Sequence, residues 1–162
     1  MIKEIRGGQW AQFLRRFNAE NQYRQVHITY KESDTNKEIS LENRPFIGLA
    51  LEKKGRFIEG IQFFAGRGDA SNIAEPILTI KDPERIMVEK DNLGHDFRMT
   101  IKTKDSYEIV AILGPHDYKQ VKNLIEEVAY SIYVKRGGLH GADTDDWQQA
   151  EKKVYETVAA FV

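Results

Sequence analysis

The sequence has no cysteine, only four prolines in 162 residues, and a formal net charge of -1. Each shortage excludes something. Without cysteine there is no disulfide framework, no thiolate zinc site and no cysteine nucleophile. With 24 Lys+Arg against 25 Asp+Glu, the chain lacks the basic footprint of a protein that works by gripping phosphates, so nucleic acid is not an expected partner. Disorder is excluded too, because 41% of the residues are hydrophobic and the net charge is small. No run approaches the ~20 apolar residues that span a bilayer; FIGLAL at 46–51 is among the longest. MIKEIRGGQW carries charges where a signal peptide needs its apolar segment. These absences predict a cytoplasmic protein with no membrane partner.

Hydrophobic periodicity orders what is present. Trp10, Phe13, Leu14 and Phe17 recur at helical spacing and predict an amphipathic helix of three turns, its aromatic stripe facing the core. The period then changes to two. Val26, Ile28 and Tyr30 alternate with His27, Thr29 and Lys31, as in a strand buried on one face. Residues 32–43 are polar and read as a loop. A hairpin follows, strands 46–52 and 56–64 turning at Lys53-Lys54-Gly55. Phe46-Ile47, Phe57-Ile58 and Phe63-Phe64 place apolar side chains on both faces of these strands, which predicts cover on both sides.

After a loop at 65–76, Asp82-Pro83 marks a turn and a meander follows. Its middle strand alternates cleanly, with Phe97, Met99 and Ile101 expected inward. Its last strand is apolar on both faces, so Ile109, Val110, Ala111 and Ile112 are all expected to be buried. Gly114-Pro115 then ends the strand pattern. A helix is predicted from about Asp117 to Lys135, striped by Tyr118, Val121, Ile125, Val128 and Ile132. A second is predicted with Asp143 or Thr144 as cap and Asp145 and Asp146 in its first turn. Trp147, Ala150, Val154, Val158 and Phe161 form its stripe, widened by Tyr155, Ala159 and Val162.

The expected fold is α+β: an N-terminal helix, a curved antiparallel sheet of about six strands, and a C-terminal helical hairpin. Residues 1–113 form the helix-plus-sheet domain and 114–162 the hairpin. Neither part is a polyelectrolyte, since residues 114–162 hold 6 Lys+Arg and 8 Asp+Glu.

No catalytic signature appears. Ala65-Gly66-Arg67-Gly68-Asp69 lacks the glycine pattern of a Rossmann turn and the Gly-Lys-Ser/Thr of a P-loop, leaving Arg67 as a weak anion-binding candidate in a flexible turn. The run from His140 to Asp146 offers oxygen ligands but fails the calcium-loop pattern, with Trp147 and Gln148 where Asp/Asn and Gly are required. Its acidic residues suit the start of a helix. The four histidines, His27, His95, His116 and His140, show no metalloprotease or triad signature. Arg15-Arg16-Phe17, Tyr23-Arg24 and Lys53-Lys54-Gly55-Arg56-Phe57 mix basic and aromatic residues, but neighbouring acids neutralise them and they read as solvated faces. No metal and no cofactor are expected.

The segment Ala129-Tyr130, Arg136-Gly137, His140-Gly141, Asp143, Asp146-Trp147, Ala150-Glu151 resembles a short bacterial helical domain of unknown function. The first two thirds are similar to a family of small bacterial domains of unknown function, through Gln9-Trp10, Phe13-Leu14 and the Asp82-Pro83 turn. The resemblance implies a boundary near Gly114 and a bacterial, cytoplasmic origin, and carries no activity. Physically, Gly137 and Gly141 permit special backbone, His140 can bond loop carbonyls, and Trp147 can staple the helices. Arg136, His140 and Trp147 are also weak candidates for a binding patch, an indole beside a cation.

The reading that follows is a non-enzymatic interaction or small-ligand-binding module with an unidentified protein or small-molecule partner. The alternative is a small enzyme whose site assembles from distant residues. The wide apolar stripes of the last two helices also predict a homodimer formed through them.

Overall fold

The amphipathic stripe at the amino end forms a helix, Trp10–Asn21 (α1), which buries Trp10, Phe13, Leu14 and Phe17. A computed structural model describes this helix and the rest of the chain over residues 1–32, 38–66, 73–116, 119–138 and 140–162. Eight strands surround α1: β1 (Ile2–Ile5), β2 (Arg24–Glu32), β3 (Glu38–Lys54), β4 (Phe57–Ala65), β5 (Leu78–Lys81), β6 (Pro83–Lys90), β7 (Asp96–Thr103) and β8 (Tyr107–His116). They make one sheet in the order β1-β6-β7-β8-β2-β3-β4-β5, antiparallel in every pairing. Two helices follow, α2 (Lys119–Lys135) and α3 (Asp143–Ala159). None of the described helices is long and apolar enough to cross a membrane.

The α+β class agrees with the sequence, and among the described residues the sheet has eight strands where the sequence predicts about six. β1 and β5 are four residues each, too short for a period of two to register. β3 begins at Glu38, so the polar segment read as a loop over 32–43 is strand from 38 onward. Its residues pair with β2 in antiparallel register. Residues 33–37 of that segment, Arg67 with its glycine loop, and Asp117 and Tyr118 at the expected start of α2 lie outside the described residues.

The sheet curves until strands far apart in its order share one core. Ile61 and Phe63 of β4, Ile80 of β5 and Ile86 and Val88 of β6 all join the cluster around Phe13 and Phe17. A second core lies on the other side of β3 and β4, where Ile47 and Phe64 meet Leu124, Ile125, Val128, Ala150, Val154 and Val158 of the helix pair. A bulge in β3 makes this division possible. The register slips between Phe46 and Gly48, so Phe46 and Leu49 enter the first core and Ile47 the second. Phe63 and Phe64 divide likewise, as their lost alternation predicts. Phe57 does not: it is exposed at the hairpin tip.

Other expectations change for local reasons. In β8, Ile109 and Ala111 are buried but Val110 and Ile112 only half-buried, because the helices cover β3 and β4 and leave the outer face of β8 bare. Phe97 is exposed, its ring 5.2 Å from the Arg98 guanidinium. The register between β6 and β7 slips there, Glu89 pairing Arg98 and Lys90 pairing Asp96. The bulge thus turns Phe97 outward and Asp96 inward. The cap of α3 is Ala142, with Asp143 already in its first turn and no side-chain capping bond. Of the wide stripe on α3, Ala150, Val154 and Val158 are buried, whereas Tyr155 and Val162 stay exposed.

Residues 46–54 of β3 pair with β4 after β2 has diverged, which leaves one strand edge open. Two amides fill it, from Asn18 of α1 and from Gln22 just past its end. Asn18 Nδ2 donates to Leu49 C=O at 2.9 Å while Asn18 Oδ1 accepts from Leu49 N–H at 2.8 Å. Gln22 Nε2 donates to Ile47 C=O at 3.0 Å. The spacing explains the match: four helical residues rise about 6 Å and two strand residues about 6.6 Å. The same two amides donate to Phe161 C=O at 3.1 Å and Val158 C=O at 2.8 Å, fastening the end of α3. Asn18→Ala should therefore cost about 2–4 kcal/mol by urea denaturation, because it orphans both backbone groups of Leu49. Asn18→Asp should fall nearly as far, since a carboxylate cannot donate to the Leu49 and Phe161 carbonyls.

Candidate functional site

A groove follows from the way α1 is seated. Trp10 Nε1 donates to Ile5 C=O at 2.9 Å, tying the helix start to β1, while Asn18 and Gln22 tie its end to β3. β1 is the last strand of the sheet, so among the described residues its outer edge has no strand partner. Between that strand and the helix lies a cavity of about 540 Å³, within the range that small-ligand sites occupy.

Its lining divides by chemistry. Ile5 and Phe13, both buried, supply an apolar floor with Ala19, and Val162 adds to it. Gln9 and Gln12 offer amide donors and acceptors. Lys3, Arg15 and Arg16 bring three cations, and no Asp or Glu is among the lining residues. The Arg16 guanidinium sits 5.7 Å from the Phe13 ring centroid and 4.0 Å from an exposed Glu20 carboxylate, one turn further along the helix. Such an exposed pair holds a charge only weakly. Glu4, the carboxylate of β1, is engaged elsewhere: Arg85 Nε and Nη2 donate to it at 2.8 and 3.1 Å. That contact holds the Glu4 carboxyl below the usual carboxylate range, hydrogen bonding being the largest cause. The cavity therefore gathers three cationic side chains over an apolar floor, with only the exposed Glu20 paired to one of them, which suits an anion with an apolar body. Sequence reasoning placed Arg15 and Arg16 on a solvated helix face. Nothing in their spacing shows that β1 lies alongside.

A second polar cluster has its groups occupied by one another. Arg24 Nε donates to Gly114 C=O at 2.7 Å, and its Nη1 donates to Asn21 Oδ1 at 2.9 Å and to Asp96 C=O at 2.7 Å. Asn21 Nδ2 donates to Asp96 Oδ2 at 2.8 Å, and Lys90 Nζ lies 3.3 Å from Asp96 Oδ1. Asn21, Arg24 and Asp96 are all buried. The cluster locks the end of α1 to β7 and β8, and a buried charge set this fully bonded is structural cement. His116 lies near it with its pKa lowered, by desolvation first and then by the charges of Arg24 and His95. His95 Nδ1 is 3.6 Å from Asp91 Oδ2, and His27 Nε2 is 3.1 Å from Ser40 Oγ on an exposed face. Among the described residues, no group of three His, Asp or Glu could hold a metal ion.

The residues singled out in the C-terminal segment meet in part. Arg136 Nη2 and Nε donate to Asp146 at 2.6 and 3.1 Å, and Asp143 lies 3.9 Å away. The Asp146 carboxylate is buried, and the pairing raises the Arg136 pKa, its hydrogen bond being the largest cause. The Arg136 guanidinium also lies 5.3 Å from the Tyr133 ring, and the His140 ring 5.8 Å from the same tyrosine. Trp147 is half-buried in the second core. Gly137 and Gly138 hold φ of 87 and 70, with Gly138 N–H bonding Tyr133 C=O and Gly137 N–H bonding Val134 C=O, both at 3.0 Å. That is a Schellman ending, which needs glycine at its left-handed position. The ion pair thus pins the end of α2 to the start of α3. In a double-mutant cycle, Asp146→Ala should lower the thermal midpoint by several degrees, more than Asp143→Ala does. Adding Arg136→Ala to Asp146→Ala should cost much less than it does alone, because the two side chains share one interaction.

Residues 122–155 match a family described as a protein of unknown function (DUF2934). The matched stretch contains most of α2 and α3, the glycine ending and both members of the Arg136–Asp146 pair, in agreement with the resemblance read from the motif. No curated protein and no solved structure matches the chain.

Proposed function

We propose that the protein is a non-enzymatic binding module whose ligand site is the groove between α1 and β1. One observation carries this reading: three cations over an apolar floor, in a preformed cavity whose lining has no acidic residue. The ligand is an anion with an apolar body, its charge met by Lys3, Arg15 and Arg16 and its apolar part laid over Ile5 and Phe13. The binding reading is favoured over catalysis because the side chains of the groove offer amides and permanent cations, with no Asp, Glu, His or nucleophilic hydroxyl among them to transfer a proton or attack.

Anilinonaphthalene sulfonate, an aromatic body bearing one anionic group, tests the site. It should bind the native protein saturably at one site, and Arg15→Glu with Arg16→Glu should weaken binding by about tenfold or more, as loss and reversal of two nearby charges requires. Raising salt from about 0.05 to about 0.5 M should weaken it as well. Equal binding by the parent and the double variant would remove the groove as the site.

We also propose that two copies pair through α2 and α3. The reading is supported by Tyr130, Val134 and Tyr155, which leave half or more of their surface exposed on these helices. Light scattering should give twice the chain mass, and Tyr130→Glu with Tyr155→Glu should halve it.

A further inference from the structure

We infer that the partner taken by this groove is an acidic peptide segment in extended conformation, added to the sheet as a strand along the outer edge of β1. The inference rests on the groove being the binding site and goes further by naming what fills it. Three observations converge. First, among the described residues β1 ends the sheet, pairing with β6 on one side and with no strand on the other. Second, that outer edge adjoins the groove. The Ile5 carbonyl points to α1, where the Trp10 indole binds it. In an antiparallel strand alternate residues aim their backbone groups at the same edge, so Lys3 presents its N–H and C=O there too. Both Lys3 and Ile5 line the cavity. Third, the side-chain charge is one-sided: Lys3 stands on the strand and Arg15 and Arg16 on the helix opposite, with no Asp or Glu among the lining residues.

The Ile5 carbonyl is already taken by Trp10, and a small rigid anion would use the cations and leave the backbone groups of Lys3 unused. An added strand uses both, bonding the edge through its own backbone and offering acidic side chains at every second position. The slot between β1 and α1 also has the elongated form a strand needs, since the lining helical residues from Gln12 to Ala19 span about 10 Å of helix rise. β1 has only four residues, so backbone bonding is limited to its short edge and the cations must supply much of the affinity.

Fluorescence anisotropy with a labelled peptide of alternating glutamate and valine tests the inference. The expected result is saturable binding that weakens about tenfold or more with Arg15→Glu and Arg16→Glu, and by a similar factor when the peptide is N-methylated at alternate amides in one of the two phases, the phase whose N–H groups face β1. N-methylation removes backbone donors and keeps every charge, so undiminished binding of both methylated peptides would overturn strand addition. Tighter binding of a labelled oligothymidylate than of the peptide would overturn it too, in favour of a nucleic-acid strand. If the sulfonate probe binds and the peptide does not, the groove stands as the site and the peptide is excluded. If neither binds, both readings fall.

Discussion

The open edge of β3 is the constraint on which the rest of the structure depends. A strand that leaves one partner for another must expose backbone groups where the first partner departs. Here a helix supplies the missing hydrogen bonds through side chains. Asn18 mimics a peptide unit toward Leu49, and Gln22 does the same for Ile47. Because the same amides also hold the carbonyls of Val158 and Phe161, one helix face fixes the sheet and the C-terminal helix together. Phe161 then lies so close to Gly48 that a Cβ there would come within 2.5 Å of its ring. Neither end of the chain is placed independently of the other.

The seating of α1 also produces the groove. A helix fastened to β3 by its final turns and to β1 by Trp10 spans two strand edges, and it cannot fill the space beside both. On the β3 side amides and the end of α3 narrow the gap to a smaller cavity of about 280 Å³ beside Leu14, Leu49 and Phe161. On the β1 side it stays open, floored by the apolar residues that face the first core and walled by long cationic side chains. The binding surface proposed for this protein is thus a by-product of how its sheet is finished.

The helical pair is organised around a different device. Its apolar residues are satisfied by Ile47 and Phe64 across β3 and β4, while the turn between the helices is set by Arg136 reaching Asp146. Burial of the Asp146 carboxylate makes the pair mutually dependent, since either group alone would be left without its counter-charge. Arg136, Gly137 and Asp146 of the family pattern are accounted for by this geometry. Arg136 cannot serve as a free anion receptor while Asp146 holds it, and the cations of the groove lie at the other end of the sequence, on β1 and α1.

The sequence by itself determined the elements whose periodicity is long and clean. The stripe of Trp10, Phe13, Leu14 and Phe17 specified α1, and the paired apolar residues at 46–47 and 63–64 specified a hairpin covered on both faces. Helical spacing specified α2 and α3. These are local properties, written in the side chains that make them. What only the tertiary structure decided was relational. The bulges that turn Phe97 outward and put Leu49 on the same side as Phe46 depend on register with a neighbouring strand, which no single segment encodes. The short strands β1 and β5 exist because a partner strand accepts them. Arg15 and Arg16 read as a solvated face because their chemistry is ordinary; they become a binding wall only because the fold brings β1, some ten residues earlier in sequence, alongside the same helix and leaves its edge open.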